Sequence, residues 1–336
     1  MKALMWTEGK KVELKDIPEP QVQPGTAKIQ INYAALCATD VHIVDHGLYG
    51  LKPPMPLGHE CCGTIVELGE GMTELGWKIG DRVAVSSVAS CGVCDDCKRG
   101  DDIFCRNLYA VPRFTEYAVL KPLMMFKIPD HIKDLAPYAL AEPCASAMRG
   151  IDLADIKIGD NVAISGTGGI GSILLNMILL KGSTRVTVIE PVAAKRELAL
   201  KMGADYAIDP FNEDVVARAK EITDGRGYDV VFEASGVPAA APPILEIIAN
   251  KGTAVYFAVF PMEYELPVNL YKLYSKEGRI QTVYTTNYNY PRVIELIPKL
   301  QMDKIIGTIL PLDEGAKAWD LFHQSIYPKI MLKCSE

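Results

Sequence analysis

The sequence predicts an α/β protein in which a doubly wound parallel sheet is inserted into a β-rich domain. Three observations carry this. The first ~120 residues are short apolar runs punctuated by Gly and Pro, with little helical periodicity. From residue 161 to 260, short apolar runs alternate with segments of helical length, the pattern of βαβ units on a parallel sheet. The last ~50 residues leave that rhythm and end on another apolar run. A chain of 336 residues with 49% apolar content has enough for two cores, since single cores stop growing at roughly 250–300 residues.

The elements follow in order. "TAKIQINYAAL" (26–36), "ECCGTIVELG" (60–69) and "DRVAVSSV" (81–88) read as strands bounded by turn residues. The texture changes after "AEPCASAMRG" (141–150). "NVAISG" (161–166) is a short apolar strand and "GIGSILLNMILLKG" (169–182) a buried helix. "RVTVIE" (185–190) is a strand, and "AAKRELALKMGA" (193–204) a helix with Leu198, Ala199 and Met202 on one face. The alternation continues through "DYAIDP" (205–210), "VVARAKEITDG" (215–225), "YDVVFEASG" (228–236), the helix "APPILEIIANKG" (241–252) and the strand "TAVYFAVF" (253–260). The stretch "YPRVIELIPKLQ" (290–301), a helix at "LDEGAKAWDLFHQS" (312–325) and a strand "KIMLKC" (329–334) close the chain. The expected division is 1–147 with 285–336 for the β-rich domain, and 148–284 for the parallel-sheet domain.

Composition excludes several classes. The 35 basic and 42 acidic residues give −7. No long block of one sign occurs, so the electrostatic footprint of a nucleic-acid binder is missing. The start "MKALMWTEGKK" has no apolar signal-peptide core. The most apolar stretch, 169–180, is interrupted by Asn176 and falls short of the ~20 residues that span a membrane. Nine cysteines, an odd number without a secretory signal, favour reduced thiolates as metal ligands over disulfides. A cytoplasmic protein without nucleic-acid or membrane partners is expected.

The stretch "CGVCDDCKRGDDIFC" holds Cys91, Cys94, Cys97 and Cys105. Two overlapping CxxC pairs and a fourth cysteine suit a tetrahedral zinc ion. An iron–sulfur cluster fits less well, because the last gap is seven residues and Arg106 follows where ferredoxins have proline. Four protein ligands close the site to substrate, so such a zinc is structural.

After the strand "NVAIS" comes Gly166-Thr-Gly168-Gly169-Ile170-Gly171 and a helix. The first glycine allows the tight turn, the second lets backbone approach a pyrophosphate, and the third lets helix and strand pack closely. The helix N-terminus then presents unpaired N–H groups to phosphate. Glu190 closes the next strand, where a carboxylate meets a ribose hydroxyl. That carboxylate repels a 2′-phosphate, so NAD is expected over NADP. Lys195 and Arg196 nearby are the countervailing cations.

Elsewhere "ALCATDVH" (35–42), "PLGHECCG" (56–63) and "LAEPCAS" (140–146) offer Cys37, His59, Glu60 and Glu142. A thiolate, an imidazole and a carboxylate make an open zinc site with room for a substrate oxygen. Their spacing alone is not diagnostic; Cys37 is equally a small buried hydrophobe and "HE" an ordinary pair.

Taken together, Cys37-Ala-Thr39-Asp40-Val-His42, Gly58-His59-Glu60, the four-cysteine lobe, Glu142-Pro143 and the glycine loop resemble the zinc-dependent medium-chain dehydrogenase/reductase family along essentially the whole chain. The ending "YPKIMLKC" and Glu142-Pro143 are most similar to its sorbitol, or polyol, dehydrogenase branch. The resemblance implies a GroES-like catalytic domain and a Rossmann cofactor domain, two zinc ions per chain, NAD, and a homodimer or homotetramer. It implies that Cys37 and His59 bind the catalytic zinc, with Glu60 and Glu142 as further ligands or close neighbours and Asp40 orienting His59. Thr39 then takes the proton of the alcohol, and His42 ends a relay that passes through the cofactor ribose. Cys61, Cys62 and Cys144 match no ligand position.

The implied reaction oxidises a secondary alcohol, most simply a polyol, to a ketone. Two departures bear on the substrate. The loop "RNLYAVPR" after Cys105 is shorter than in relatives, so a wider or differently shaped pocket is expected. In "QTVYTTNYNYP" (281–291), Thr285 and Thr286 stand where sorbitol dehydrogenases carry an Arg-Tyr pair, leaving Tyr284, Thr285, Thr286 and Tyr288 as replacement hydroxyls or as a strand at an edge. Threonine, a 2,3-diol and a bulkier alcohol are the alternatives. A zinc-ribbon binding module is the reading from another class, disfavoured by the acidic balance.

Overall fold

The structure, a computed structural model, describes residues 1–285 and 289–335. Two compact units form, Met1–Ala145 with Thr286–Glu336, and Ser146–Thr285. Among the described residues no helix is long and apolar enough to cross a membrane.

In the second unit, six parallel strands form one sheet in the order Tyr206–Ile208, Arg185–Ile189, Asn161–Ser165, Tyr228–Glu233, Ile248–Tyr256, Arg279–Thr282. In chain order that is 3-2-1-4-5-6, the Rossmann arrangement, whose strand order reverses beside the first strand. Helices Gly169–Lys181, Ala193–Met202, Val215–Ile222 and Ala241–Ile247 supply the crossovers. The strands are near-continuous Val, Ile and Ala because both faces are covered, and Val162, Ala163, Ile164, Val231 and Phe232 have no exposed surface.

The first unit is built on a seven-stranded sheet. Its centre is Ala27–Ala35, paired antiparallel with Glu60–Leu68 on one side and with the C-terminal strand Lys329–Lys333 on the other. The core beneath includes Ile29, Ile31, Ile65, Val83, Phe114 and Leu332. Pairing of the last strand with the third brings residue 329 beside residue 36, a closure no local pattern announces.

Two expectations about elements are corrected. The segment after Cys37, expected within a β region, is the helix Ala38–His46. It lacks an apolar stripe. Its start is held by Asp40, whose Oδ2 accepts from the Cys37 N–H at 3.1 Å, and Gly47 ends it at φ 61°. The helix expected through residue 252 stops at Ile247, and the strand begins at Ile248. Ile248 pairs with Tyr228, so sheet pairing overrides the apolar run that read as helix. Thr286 and Tyr288 lie outside the described residues. Thr285 has φ 50° and Tyr284 is exposed.

Candidate functional site

In the lobe after Ala89, the four sulfurs of Cys91, Cys94, Cys97 and Cys105 converge within 4.8 Å of one another. Separations are 3.5 Å for Cys94–Cys97, 3.9 Å for Cys94–Cys105 and 4.0 Å for Cys91–Cys97. A tetrahedron with Zn–S bonds of about 2.3 Å has edges of about 3.8 Å, so the donor set fits zinc. Backbone N–H groups of Cys94, Cys91 and Asn107 point at the sulfurs of Cys91 and Cys105. Amide donors from Val93 and Cys94 pull the Cys91 thiol down to about 6. No position is left for a substrate.

The second donor set is Cys37, His59 and Glu60, again within 4.8 Å. Three elements supply it: the N-cap of helix Ala38–His46, the turn before the strand Glu60–Leu68, and that strand's first residue. Gly58 sits in the turn at φ 92°, and a Cβ there would lie 2.4 Å from the Phe114 ring, so only glycine lets the chain present His59. Asp40 is buried and joins the pieces. Its Oδ1 lies 3.2 Å from the Gly58 N–H and 3.1 Å from His59 Nδ1. With Nδ1–H donating to Asp40, Nε2 keeps its lone pair for a metal. Burial would lower the His59 pKa, but Asp40 and Cys37 outweigh it and hold it well above the usual value. Burial would likewise raise Cys37; Lys329 and His59 outweigh it and bring the thiol down to about 7. The chemistry of this set, one soft sulfur, one imidazole and a carboxylate, suits zinc with an open position.

Lys329, which no sequence motif singles out, is buried against this set. Its Nζ donates to both Glu60 oxygens, at 2.5 and 2.7 Å, and to Leu36 O at 3.1 Å. Burial would lower the ammonium; Glu60 and Cys37 outweigh it and hold it above its ordinary value. Both Glu60 oxygens are thus engaged by one buried ammonium. Glu142 is not among the converging groups. Its Oε1 accepts from Ser87 Oγ at 3.3 Å, and burial pushes its carboxyl up.

Thr39 Oγ1 lies 3.7 Å from Cys37 Sγ. His42 follows one turn on along the helix, stacked on His46 with ring centroids 6.0 Å apart. Burial, then His46, hold the His42 pKa below its ordinary value. Cys61, Cys62 and Cys144 are fully buried, with thiols pushed up by burial. The short loop after Cys105 ends in Arg113, which is wholly buried. Its guanidinium donates to Ser86 O at 2.6 Å and Ser87 O at 3.2 Å, and its Nε has no hydrogen-bond partner. No single residue in the loop motif pointed to this role.

In the second unit, Gly166 has φ 87°, and a Cβ there would lie 2.9 Å from Ser235. A Cβ on Gly171 would lie 1.8 Å from Gly166 O, so this glycine serves helix–strand packing. A Cβ on Gly168 would meet no protein atom within 4 Å. The opening in front of Gly168, at the start of helix Gly169–Lys181, has room for a pyrophosphate, with the N–H groups of Gly169, Ile170 and Gly171 unpaired within the helix. Glu190 is buried. Its Oε2 accepts from Thr167 N at 2.8 Å and Thr167 Oγ1 at 3.0 Å, and its Oε1 from Val192 N at 3.0 Å. The second residue of the glycine motif therefore fixes the carboxylate at the strand end. These residues fit a nicotinamide dinucleotide.

Comparison with known proteins agrees with both halves. Residues 23–130 match the alcohol dehydrogenase GroES-like domain, and residues 169–299 the zinc-binding dehydrogenase domain. The chain is 35% identical to an L-threonine 3-dehydrogenase of Pyrococcus horikoshii, over 91% of this chain and 90% of that protein. It is 32% identical to a sorbitol dehydrogenase of Halalkalibacterium halodurans, over 79% of this chain and 78% of that protein. A solved zinc-binding dehydrogenase from Sinorhizobium meliloti, bound to NADP, superimposes with a TM-score of 0.91 at 29% identity, covering 99% of this chain and 98% of the other. The chain belongs to the zinc-dependent medium-chain dehydrogenases, the family that includes the polyol dehydrogenases, and is an NAD(P)-dependent alcohol dehydrogenase.

Proposed function

We propose that this enzyme oxidises a secondary alcohol, with a polyol as the preferred class, and passes the hydride to NAD to give a ketone, NADH and a proton. The observation that carries the reading is the convergence of Cys37, His59 and Glu60 beside the Thr39 hydroxyl. Zinc held there supplies Lewis acidity that makes the alcohol proton easier to remove, and the dinucleotide supplies the hydride acceptor. The chain's own groups do the rest. Cys37 and His59 are held by Asp40, and Lys329 holds Glu60. Thr39 receives the alcohol proton. As it does so it gives up its own proton, and His42, kept neutral by burial and by His46, is the base at the outer end of that relay.

The cysteine quartet is read as a structural zinc site and the Cys37 set as the catalytic one, two ions per chain. A chelator should remove the metal at Cys37 first, abolishing activity while the fold persists; fully active protein with one zinc per chain would overturn this. NAD is preferred to NADP because the Glu190 carboxylate, held at the strand end by Thr167 and the Val192 N–H, puts a negative charge where a 2′-phosphate would be repelled.

Polyol preference is supported by the likeness to a sorbitol dehydrogenase and by Glu142 in place of a further thiolate, which leaves a more oxygen-rich surrounding. The 35% identity to a threonine 3-dehydrogenase favours a second reading, a 3-hydroxy amino acid. Steady-state comparison of xylitol, sorbitol, 2,3-butanediol, L-threonine and matched primary alcohols decides between them. Best turnover of primary alcohols would refute both. A second copy is proposed to pair along the strand Arg279–Thr282, the sheet's end strand, beside which Leu270, Tyr271 and Tyr274 are more than 70% exposed. Light scattering giving a monomer would refute this.

A further inference from the structure

We propose that Asp209 is a specificity-determining residue for the dinucleotide: it engages the Arg196 guanidinium and withholds from the adenosine ribose the cation that a 2′-phosphate needs. The inference rests on the reading of Glu190 as the ribose acceptor.

A 2′-phosphate is recognised best by a guanidinium, whose planar fork matches phosphate oxygens. Arg196 is the first arginine after Glu190 in sequence, in the first turn of the helix that follows it. In the structure its donors are already committed. Nη1 donates to Glu190 O at 2.7 Å and Pro191 O at 2.8 Å, and Nη2 pairs with Asp209 Oδ2 at 2.8 Å. The two side chains are 18% and 14% exposed, so the pair is largely withdrawn from water.

Asp209 is itself fixed. It follows the strand Tyr206–Ile208, and Ile208 O accepts from the Glu190 N–H at 3.0 Å, so the two carboxylates stand on adjacent strand ends. Its oxygens accept from Phe211 N at 3.0 Å and Asn212 Nδ2 at 3.0 Å. Asn212 and Phe211, and then Arg196, hold its carboxyl below the usual range, so it keeps its charge. One carboxylate, that of Asp209, and the Glu190 backbone carbonyl thus share the guanidinium. A 2′-phosphate entering this corner would meet the repulsion of Glu190 and find the arginine spent on Asp209. Removing Glu190 alone takes away one obstacle and leaves the other.

The test uses zinc-loaded protein and calorimetric binding of ADP and 2′,5′-ADP, alongside kcat/KM for NAD and NADP. The variants are Glu190→Ala, Asp209→Asn, the double, and the double with Arg196→Gln. The expected result is that Glu190→Ala narrows the preference for ADP only modestly. The double should bind 2′,5′-ADP relative to ADP at least tenfold better than Glu190→Ala does, about the strength of one charge-assisted hydrogen bond. Arg196→Gln should cancel that gain. Asp209→Ser gives the same readout if the asparagine variant does not fold. A double no better than Glu190→Ala, a gain that survives Arg196→Gln, or equal weakening of both ligands, as a mere brace would give, overturns the inference while leaving the reading of Glu190 intact. Equal binding of the two ligands by the unmodified protein overturns that reading and the inference with it.

Discussion

Asp40 holds both ends of the Cys37–His59 pair, and the two ways of damaging it should not be equal. In Asp40→Ala three donors lose their acceptor: the N–H groups of Cys37 and Gly58, and His59 Nδ1. An orphaned buried donor costs about 1–3 kcal/mol, so several kcal/mol of stability should go. Nothing then fixes the imidazole tautomer. In Asp40→Asn the amide can turn either way. With its oxygen at the Oδ1 position it still serves Gly58 and His59, and only the Cys37 N–H faces an NH2 group. Turned over, it loses two partners and pushes the His59 proton onto Nε2, where a metal must bind. The first orientation therefore wins, and the tautomer survives. Loss of a carboxylate behind a ligating histidine weakens metal binding about 10–100-fold, or about 1.4–2.8 kcal/mol. Asp40→Asn should fall near the lower figure and Asp40→Ala near the upper. Zinc affinity is measured by competition with a chromophoric chelator, and stability by urea unfolding of the metal-free protein. An asparagine variant as damaged as the alanine one would refute the tautomer argument. Unchanged zinc affinity in both would remove Asp40 from the site.

Lys329→Met strips the ammonium from a buried carboxylate. Breaking a buried pair on one side costs about 3–5 kcal/mol, so the metal-free protein should unfold at markedly lower urea, and a loss below about 1 kcal/mol, the scale of an exposed pair, would refute the pairing. In metal-free protein the Cys37 thiol, brought down to about 7, should react with iodoacetamide at neutral pH, its rate rising as pH passes 7, while Cys61, raised to about 12, stays silent; peptide mapping that finds Cys61 labelled first would contradict this. Arg113→Met should cost about 1–3 kcal/mol for each carbonyl, of Ser86 and Ser87, left without a donor, read by urea unfolding; an unchanged midpoint would show that the guanidinium is dispensable.

Much of this protein was legible in the residues because the signals are local. A CxxC repeat places its sulfurs by turn geometry alone, and the quartet's separations of 3.5–4.0 Å follow from fifteen consecutive residues. The glycine loop is local too. Gly166 and Gly171 are needed by atoms within the same strand–turn–helix or packed on it, and the alternation around them announces the parallel sheet. The helix at Ala38–His46 was not legible, since its start depends on Asp40 capping Cys37 and its few core residues, Ile43 and Val44, are interleaved with the polar residues of the site.

What tertiary structure alone decided lies in pairings across long stretches of chain. Glu60 and Lys329 are 269 residues apart and meet because the last strand pairs with Ala27–Ala35. His59 takes its orientation from a carboxylate 19 residues earlier. Sequence offered Lys195 and Arg196 as counterweights to Glu190; the fold ties Arg196 to Asp209, just past the end of the neighbouring strand. The residue types of a site are written locally, because each must supply a particular atom. Their charge state and direction depend on which buried groups the sheet brings within about 3 Å, the reach of a hydrogen bond, and that is a property of strand order and register.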